Sequence, residues 1–364
     1  MYALVAEILP WILAFLVLDG LAQTRRGQLL FASRGGRFRV LRPGLHLLGL
    51  SPLDEVVAVH DLPFLASPGR LYLLDPWARA DPPVIDGGRL EAVPLASLGA
   101  PEREGRKVKA AGRLLAVAPT AEEAEALRRD LAALAAAPER ERPDLIEAHA
   151  AARGDPEAAR ALRARQRPFL VPLRALATLA WLSTFVILPL GVWTPLRAPV
   201  PLWAALAGIA TAVAVEVALA FAMLRSCGAA TGRAAAGALH LLLYPVAALH
   251  PLVHLSRGLY ARFDATAVAA ALLAPEDLRV LAGREIRRAG FARAAAPAEL
   301  AATWDARVRS LERALAAAGL DRAAAVAPTP IAPGLSGSCP LCGARFRQGF
   351  DACSDCGVPL DRTS

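Results

Sequence analysis

The stretch from Phe169 to Trp193, FLVPLRALATLAWLSTFVILPLGVW, decides the fold class of this chain. It is longer than the roughly 20 mostly apolar residues that a helix needs to cross a bilayer, and it contains a single charged residue. A second stretch of the same kind runs from Val200 to Leu224. Trp193 and Trp203 lie at the two ends of the short connection, where aromatic side chains meet a membrane surface. Together the stretches predict a transmembrane helical hairpin over 169–224.

The composition of the whole chain agrees with a membrane protein that also has polar domains. Of its 364 residues, 55% are hydrophobic and 20% are charged, and the mean hydropathy is +0.39. Disordered chains have low hydrophobicity and high charge, so the composition excludes that class. It also argues against an ordinary soluble enzyme, because soluble domains are on average less apolar and more charged.

The net charge of +8 invites a nucleic-acid interpretation, but the basic residues do not support it. All of the 41 basic residues except Lys107 and Lys109 are arginine, which is typical of a compositional bias. Many of the arginines lie beside the apolar stretches, where they report orientation across a membrane. We therefore expect no nucleic-acid partner.

Two further apolar segments flank the hairpin. Residues 1–20 predict an N-terminal transmembrane anchor, expected to stay uncleaved because no positive charge precedes it as one does in a signal peptide. The segment 234–256 contains Pro245 and Pro251, and proline breaks the hydrogen bonding of a helix interior. This fourth segment can therefore be interfacial, re-entrant or spanning.

The distribution of arginine predicts the orientation. Basic residues crowd both ends of the region between the anchor and the hairpin, whereas the connection inside the hairpin holds only Arg197. Since positive residues stay on the cytoplasmic side, that region is predicted to be cytoplasmic and the N-terminus outside. Three spans would return the C-terminal region to the cytoplasm, whereas a fourth would export an arginine-rich tail. We therefore predict a multi-pass protein of the bacterial inner membrane with three spans and a membrane-associated fourth segment.

Residues 27–137 predict a small strand-rich cytoplasmic domain. Short strand-forming runs alternate with turn signals, and the pair Gly35-Gly36 is typical of a hairpin. Thr120 is the expected N-cap of an amphipathic helix that closes the domain. Residues 138–168 predict a helical connector, broken at Gly154-Asp155-Pro156. The fold class is therefore an α+β integral membrane protein.

Two resemblances concern this region. Strands closed by one helix, over residues 28–137, resemble the pleckstrin-homology-like domains of bacterial membrane proteins, which implies binding of a partner or lipid. The sequence GRFRVLRPGLH at 36–46, with the residues up to 59, is similar to the opening of stomatin and prohibitin-type domains. That likeness over 36–59 implies a membrane organiser. The chain departs from it afterwards, because those proteins continue with a longer sheet and a coiled coil.

The sharpest chemical pattern lies near the C-terminus. CPLCG at 339–343 and CSDCG at 353–357 are separated so that ten residues lie between the two cysteine pairs. Two residues between thiols let both sulfurs face one cation, and two such turns supply a tetrahedral site. The segment 339–360 resembles the zinc-ribbon family, which implies a closed, structural Zn²⁺ site. Its predicted ligands are Cys339, Cys342, Cys353 and Cys356.

Alternatives remain for these four cysteines. They can form two disulfides or a rubredoxin-like iron site instead. Four thiolates persist best in a reducing compartment, which agrees with a cytoplasmic C-terminal region. The fifth cysteine, Cys227, is expected to be an ordinary thiol.

The surroundings of the ribbon predict a protein partner. The basic and acidic side chains of the module balance, and a four-thiolate zinc site adds two negative charges, the wrong sign for binding phosphate. The Ala/Pro-rich stretch 321–338 predicts a flexible tether. Residues 257–320, before it, predict a helical region whose apolar residues recur at three- and four-residue steps.

Several polar residues lie inside the apolar segments. Arg174 and Glu216 occupy corresponding depths of antiparallel spans, so we predict a structural ion pair between them, with a proton or ion role as the alternative. His250 and His254 are four residues apart with His240 upstream, a pattern that can bind metal or haem. Histidines facing lipid headgroups are the other interpretation.

No catalytic signature accompanies these features. The sequence has no phosphate-binding loop, nucleophile elbow, zinc-protease helix or dinucleotide fingerprint. The prediction is a membrane-anchored scaffold, assembly or regulatory protein without catalytic or cofactor-binding residues, whose zinc ribbon docks a protein. A transporter or membrane-enzyme component that uses Glu216, Arg174 and the histidines is one alternative, and a stomatin-like organiser is another. The oligomeric state is left open.

Overall fold

The structure of the protein is a computed structural model in which the chain has a mixed α+β fold, as predicted. It describes all residues except 1, 20–21, 25–27, 35–36, 42–43, 47–53, 61–63, 74–90, 194–201, 244–250, 296, 328–334, 336, 341–343, 355–356 and 363–364. The chain forms two compact units. The first comprises Met1–Thr24, Gln28–Val59 and Arg160–Tyr260, and the second comprises Arg25–Gly27, His60–Ala159 and Ala261–Ser364.

The elements of the described part of the chain are short strands followed mostly by helices. The strands are β1 (Ala22–Thr24), β2 (Gln28–Arg34), β3 (Arg37–Leu41), β4 (Gly44–His46), β5 (Glu55–His60), β6 (Phe64–Ala66), β7 (Arg70–Leu73), β8 (Glu91–Pro94), β9 (Glu102–Glu104), β10 (Lys107–Ala110), β11 (Arg113–Val117), β12 (Gly337–Ser338) and β13 (Arg345–Phe346). The helices are α1 (Tyr2–Asp19), α2 (Ala121–Ala136), α3 (Arg142–Arg153), α4 (Pro156–Leu182), α5 (Leu188–Trp193), α6 (Leu202–Ser226), α7 (Thr231–Leu243), α8 (Pro251–Leu259), α9 (Ala265–Leu272), α10 (Pro275–Ala295), α11 (Ala301–Ala317) and α12 (Arg322–Val326).

A long helical run begins at Pro156 and contains a π-helical turn shortly before Pro189. The predicted break before Pro156 is confirmed, because α3 ends at Arg153 and α4 begins at Pro156. A π-helical turn, Ser183–Ile187, joins α4 to α5. Pro189 has no N–H to donate to the carbonyl of the preceding turn, and the wider turn lies immediately before it. The second half of the predicted connector and the second predicted span thus form one helical run.

The helices of the first unit share an apolar core. Side chains of α4, α6, α7 and α8 pack together around Leu173, Met223 and Leu241, none of which is more than 1% exposed. Leu9 of α1 packs against two side chains of α5. The predicted anchor is therefore a helix that contacts the end of the second predicted span.

A small sheet of the first unit is covered by α8. Its strand order is β3-β2-β5, and β2 and β3 pair as the antiparallel hairpin predicted around the two glycines, which lie outside the described residues. Val253 of α8 packs into the core of this sheet. The N–H of Ala58 in β5 donates to the hydroxyl of Ser256 in α8 at 3.0 Å. Part of the predicted fourth apolar segment thus lies against protein.

The second unit combines two sheets with helices. Strands β6-β7-β8 and β9-β10-β11 form three-stranded sheets, and α2 packs its buried leucines in the same core. Thr120 is the N-cap of α2, as predicted, since its hydroxyl accepts the N–H of Glu123 at 3.1 Å. Helices α10 and α11 pack on each other, and Tyr72 of β7 joins their core.

The predicted strand-rich domain 27–137 is therefore divided. Its strands up to residue 59 belong to the first unit, whereas the strands and helix from residue 60 onward belong to the second. The physical reason is that different helices cover the sheets. Helix α8 packs on the sheet β3-β2-β5, whereas α2 packs on strands of the second unit, including β10 and β11.

Two helical stretches in the described part of the chain are long and apolar enough to cross a membrane. They lie within Glu139–Trp193 and Leu206–Ser226, with mean hydropathies of 1.9 and 2.1. Only 28% and 22% of their most apolar stretches is buried by protein. They correspond to the second and third predicted spans. The fourth predicted segment contains α7 and α8, of 13 and 9 residues, with residues 244–250 outside the described part.

Candidate functional site

The first cysteines of the two motifs form matching backbone hydrogen bonds. The N–H of Cys339 donates to the carbonyl of Ala344 at 2.8 Å, and the N–H of Cys353 donates to the carbonyl of Val358 at 2.9 Å. Each bond joins residues five positions apart, so the two first cysteines have the same backbone hydrogen-bond pattern. Both of these cysteines are 2% exposed, and neither forms a disulfide with another described residue. Cys342 and Cys356, the second cysteines of the two motifs, lie outside the described residues.

A glycine and a short strand pair complete the frame of these turns. Gly357 has a φ of +67°, and its N–H donates to the carbonyl of Cys353 at 2.8 Å. A left-handed backbone at this position suits glycine, which explains the residue type that follows the second cysteine. Strands β12 and β13 pair, and Ser338 and Asp361 exchange two backbone hydrogen bonds of 3.0 and 2.8 Å.

A small apolar core lies beside the described cysteines. Val358 and Leu360 are buried next to them, and Phe346 is partly buried against them. Phe350 is 51% exposed, and its ring lies 5.6 Å from that of Phe346. Phe350 therefore contacts Phe346 at the surface of the ribbon and is not part of its core.

The predicted donor set, four cysteines, is of the kind that binds a structural zinc ion. Thiolates are preferred zinc ligands, and a site made only of cysteines leaves no open position for a substrate. The two described cysteines are buried and share one backbone hydrogen-bond pattern, which agrees with such a site. The described residues contain no group of three or more His, Cys, Asp or Glu side chains placed to hold a metal, and two of the predicted ligands lie outside them.

The ribbon contacts a helix of its own unit, which the sequence did not indicate. Arg287 of α10 donates from Nε to the carbonyl of Pro340 and from Nη1 to the carbonyl of Val326, each at 3.1 Å. Phe291, one turn further along α10, packs on the core of the ribbon. The predicted flexible tether 321–338 is also helical in part, since α12 lies within it.

The predicted ion pair between Arg174 and Glu216 is not formed. Glu216 is fully buried, and neither of its carboxylate oxygens has a hydrogen-bond partner among the described residues. Arg174 donates from Nε to the carbonyl of Leu170 at 3.4 Å and lines a small cavity together with Asp54. Arg174 instead faces a cavity that it shares with Asp54, which directly precedes β5, and the analysis of the spans alone could not identify this neighbour.

Two of the three predicted histidines come together. The rings of His240 in α7 and His254 in α8 lie 5.6 Å apart, whereas His250 lies outside the described residues. His240 is exposed and His254 is half-buried. Two imidazoles at this distance form a cluster at the surface of the first unit, although 14 residues separate them in the chain.

A buried polar network lies in the N-terminal half of α4, and the sequence analysis did not identify it. Arg163 forms an ion pair with Glu55 of β5 and stacks over Phe38, with 5.6 Å between the guanidinium carbon and the ring centroid. The hydroxyl of Tyr260 donates to Oε1 of Gln166 at 2.8 Å. Burial raises the pKa of Tyr260 well above its usual range and lowers that of Arg163. The only sequence signal was the arginine cluster, which we interpreted as orientation.

Comparison of the chain with protein-family models, curated proteins and solved structures gives no match in any of the three. The resemblances to zinc ribbons, stomatin-type domains and pleckstrin-homology-like domains therefore stay predictions. What the molecule does has to follow from its own residues: the exposed apolar helices, the cysteine turns and the unpaired carboxylate.

Proposed function

We propose that this protein is a multi-pass membrane scaffold or assembly protein whose second unit carries a structural zinc ribbon. The observation that carries the proposal is the exposed apolar surface of the first unit. Large apolar side chains that are more than a third exposed recur along α4, α5 and α6; they include Val171, Leu179, Leu182, Leu190, Leu206, Val215 and Phe221. Soluble monomers seldom expose contiguous apolar patches beyond a few hundred Å², so lipid is the natural cover.

The N-terminal helix supports the same proposal. Ile8, Trp11 and Ile12 of α1 are exposed, while Leu9 packs against α5. A helix that buries one stripe against a neighbour and exposes apolar residues elsewhere suits a position at the edge of a bundle in lipid. This helix would be the first of three spans, with α4–α5 and α6 as the other two.

The packing of α8 supports three spans rather than four. Leu252, Val253 and Leu255 of α8 are buried by protein, and Ser256 bonds to a strand. A segment that covers a water-facing sheet is poorly placed to cross the bilayer as well. With the arginine bias, this packing supports an N-terminus outside and a second unit in the cytoplasm of a bacterial cell.

The ribbon has a structural role in this proposal. Cys339, Cys342, Cys353 and Cys356 would hold the ion, which when bound cross-links the two turns. Both described cysteines are buried and their turns are closed by backbone bonds. A closed site of this kind stabilises a small module that lacks a large apolar core, and it performs no chemistry on a substrate.

Topology reporters fused after Ser364 and within residues 194–199 test the membrane arrangement. We expect a cytoplasmic signal from the first fusion and an external signal from the second. Elemental analysis of the purified chain should find one zinc per molecule. An external C-terminal reporter would contradict three spans, and a chain without zinc or iron would contradict the ribbon.

A second candidate function, an ion- or proton-moving component, is favoured by Glu216 alone. A fully buried carboxyl group without a hydrogen-bond partner is costly, and such residues inside membrane bundles often mark ion or proton paths. Substitution Glu216→Gln keeps the shape and removes the titratable group. In the scaffold proposal, E216Q leaves proton flux into reconstituted vesicles unchanged.

Loss of a measurable flux in E216Q, with normal accumulation of the protein, would establish the second candidate instead. Glu7→Gln, which changes an exposed carboxyl group of α1, is the matched control. Equal flux in the parent chain, both variants and empty vesicles would support the scaffold.

A further inference from the structure

One side chain of α10, Arg287, donates hydrogen bonds both to the ribbon and to α12. Arg287 donates to the carbonyl of Pro340, which stands between the first and second cysteines of the first turn, and to the carbonyl of Val326, the last residue of α12. Carbonyls at the end of a helix lack a partner within the helix, and a guanidinium satisfies them well. Arg287 therefore ties three pieces of the second unit together.

Apolar packing accompanies these hydrogen bonds. Phe291 lies one turn after Arg287 on α10 and packs against the cluster formed by Cys339, Cys353, Val358 and Leu360. On the other side, Ala325 of α12 lies in the core shared by α10 and α11. The ribbon thus packs on α10 beside α12, and Phe291 of α10 completes the small core of the ribbon.

We propose that the docking partner of the ribbon is helix α10 of its own chain, so that metal binding in the ribbon holds α10 and α12 in place. The inference rests on the proposed metal site. Pro340 lies inside the turn whose cysteines would bind the ion, so the metal sets the direction of the carbonyl that Arg287 uses. Without metal the turn is no longer held, and both Phe291 and Arg287 lose their contacts on the ribbon.

This inference changes what the ribbon does for the protein. The sequence predicts a tethered module that binds an external partner. Here the ribbon is instead held on α10 by Arg287 and Phe291, and we call this contact the clasp. The clasp makes the cytoplasmic unit sensitive to loss of metal. Chelation or thiol oxidation in the ribbon would then expose the α10 surface around Phe291, without any change in the membrane helices.

Hydrogen exchange of the full-length protein in detergent, read by mass spectrometry, tests the clasp. Removal of metal by a chelator should speed exchange at least about tenfold in peptides covering 284–292 and 322–327, and leave peptides of α2 and α3 unchanged. Metal content is measured on the same samples. Absence of metal before chelation would refute the proposed metal site, whereas loss of metal with unchanged exchange in α10 and α12 would refute the clasp alone.

Variants separate the contact from the metal. Arg287→Ala should keep the metal and speed exchange in 322–327 and around Pro340, and Phe291→Leu should act more mildly in the same direction. Arg288→Ala is the matched control, because Arg288 lies next on the helix and forms an ion pair with Glu285, one turn earlier. Equal exchange in R287A, F291L and R288A would overturn the inference. If R287A does not fold, F291L and R287K carry the same comparison.

Discussion

A Cβ atom built on Gly283 of α10 would lie 1.8 Å from the carbonyl oxygen of Ala325 in α12. Real Cβ atoms do not approach backbone oxygen so closely, so the two helices can meet here only because the residue is glycine. Gly290, two turns further along the same helix, is exposed and would place a Cβ in open space. Glycine is therefore required by the packing at position 283 but not at position 290.

The substitution Gly283→Ala should destabilise the second unit. The added methyl must push α12 away, and overpacking of this kind costs about 1–3 kcal/mol, more than the gain of about 1 kcal/mol in helix propensity. Gly290→Ala, the control, should gain about 1 kcal/mol because it has only the propensity term. Thermal unfolding in detergent checks both, and a stabilised G283A would show that α12 does not approach α10.

Local chemistry could be predicted at the residue scale, and long-range partners could not. Thr120 is identified as an N-cap from its position alone, and in the structure its hydroxyl accepts the N–H of Glu123. Arg287 and Arg163 gave no such signal, because their acceptors lie far away in the chain. The sequence also singles out Glu216, but the ion pair predicted for it is not formed.

Between elements, Arg153 links α3 to α2 and to the residues that precede α9. Its Nη1 lies 2.7 Å from Oε1 of Glu123, in a pair whose side chains are 11% and 18% exposed. Its Nη2 donates to the carbonyl of Ala261 at 3.2 Å, and its own carbonyl accepts the N–H of Asp264 at 2.9 Å. One residue at a helix end thus contacts three parts of the second unit.

Removal of this link should be costly. Arg153→Ala leaves the Glu123 carboxylate and the Ala261 carbonyl without their donor in a mostly buried site, and breaking such pairs typically costs about 3 kcal/mol or more. Arg140→Ala, which truncates a side chain that is 85% exposed, should change the free energy of unfolding by less than about 0.5 kcal/mol. Denaturant unfolding followed by a probe in the second unit compares them. Equal stability of R153A and R140A would mean that the link is not formed.

The elements themselves could be predicted more readily than their grouping. The hairpin of β2 and β3, the helix after Thr120 and the break before Pro156 follow from turn residues and caps, which act within a few positions. The assignment of the first strands to the first unit depends on Val253 and Ser256 of α8, about 200 residues away from the sheet. No local pattern could have indicated that contact.

Over the whole molecule, exposed large apolar residues occur in two settings. Leu179, 48% exposed, lies in the apolar stretch of α4 with many similar neighbours, whereas Val280, 58% exposed, lies on α10 among charged residues. Isolated apolar side chains on a water-facing surface are ordinary, but a continuous apolar surface needs a cover. The membrane proposal assigns lipid to the first setting and water to the second.

A pair of charge substitutions distinguishes these settings. Leu179→Arg should reduce membrane integration, because arginine near the centre of a spanning helix costs about 2.5–3.5 kcal/mol on insertion scales. Val280→Arg should leave both membrane content and thermal stability unchanged, since a solvated helix face tolerates the charge. The measurement is the amount of each full-length variant that resists alkaline extraction from isolated membranes. If L179R is retained as well as V280R, then α4 faces water or protein at this position, and the first unit has to find another cover for its apolar surface.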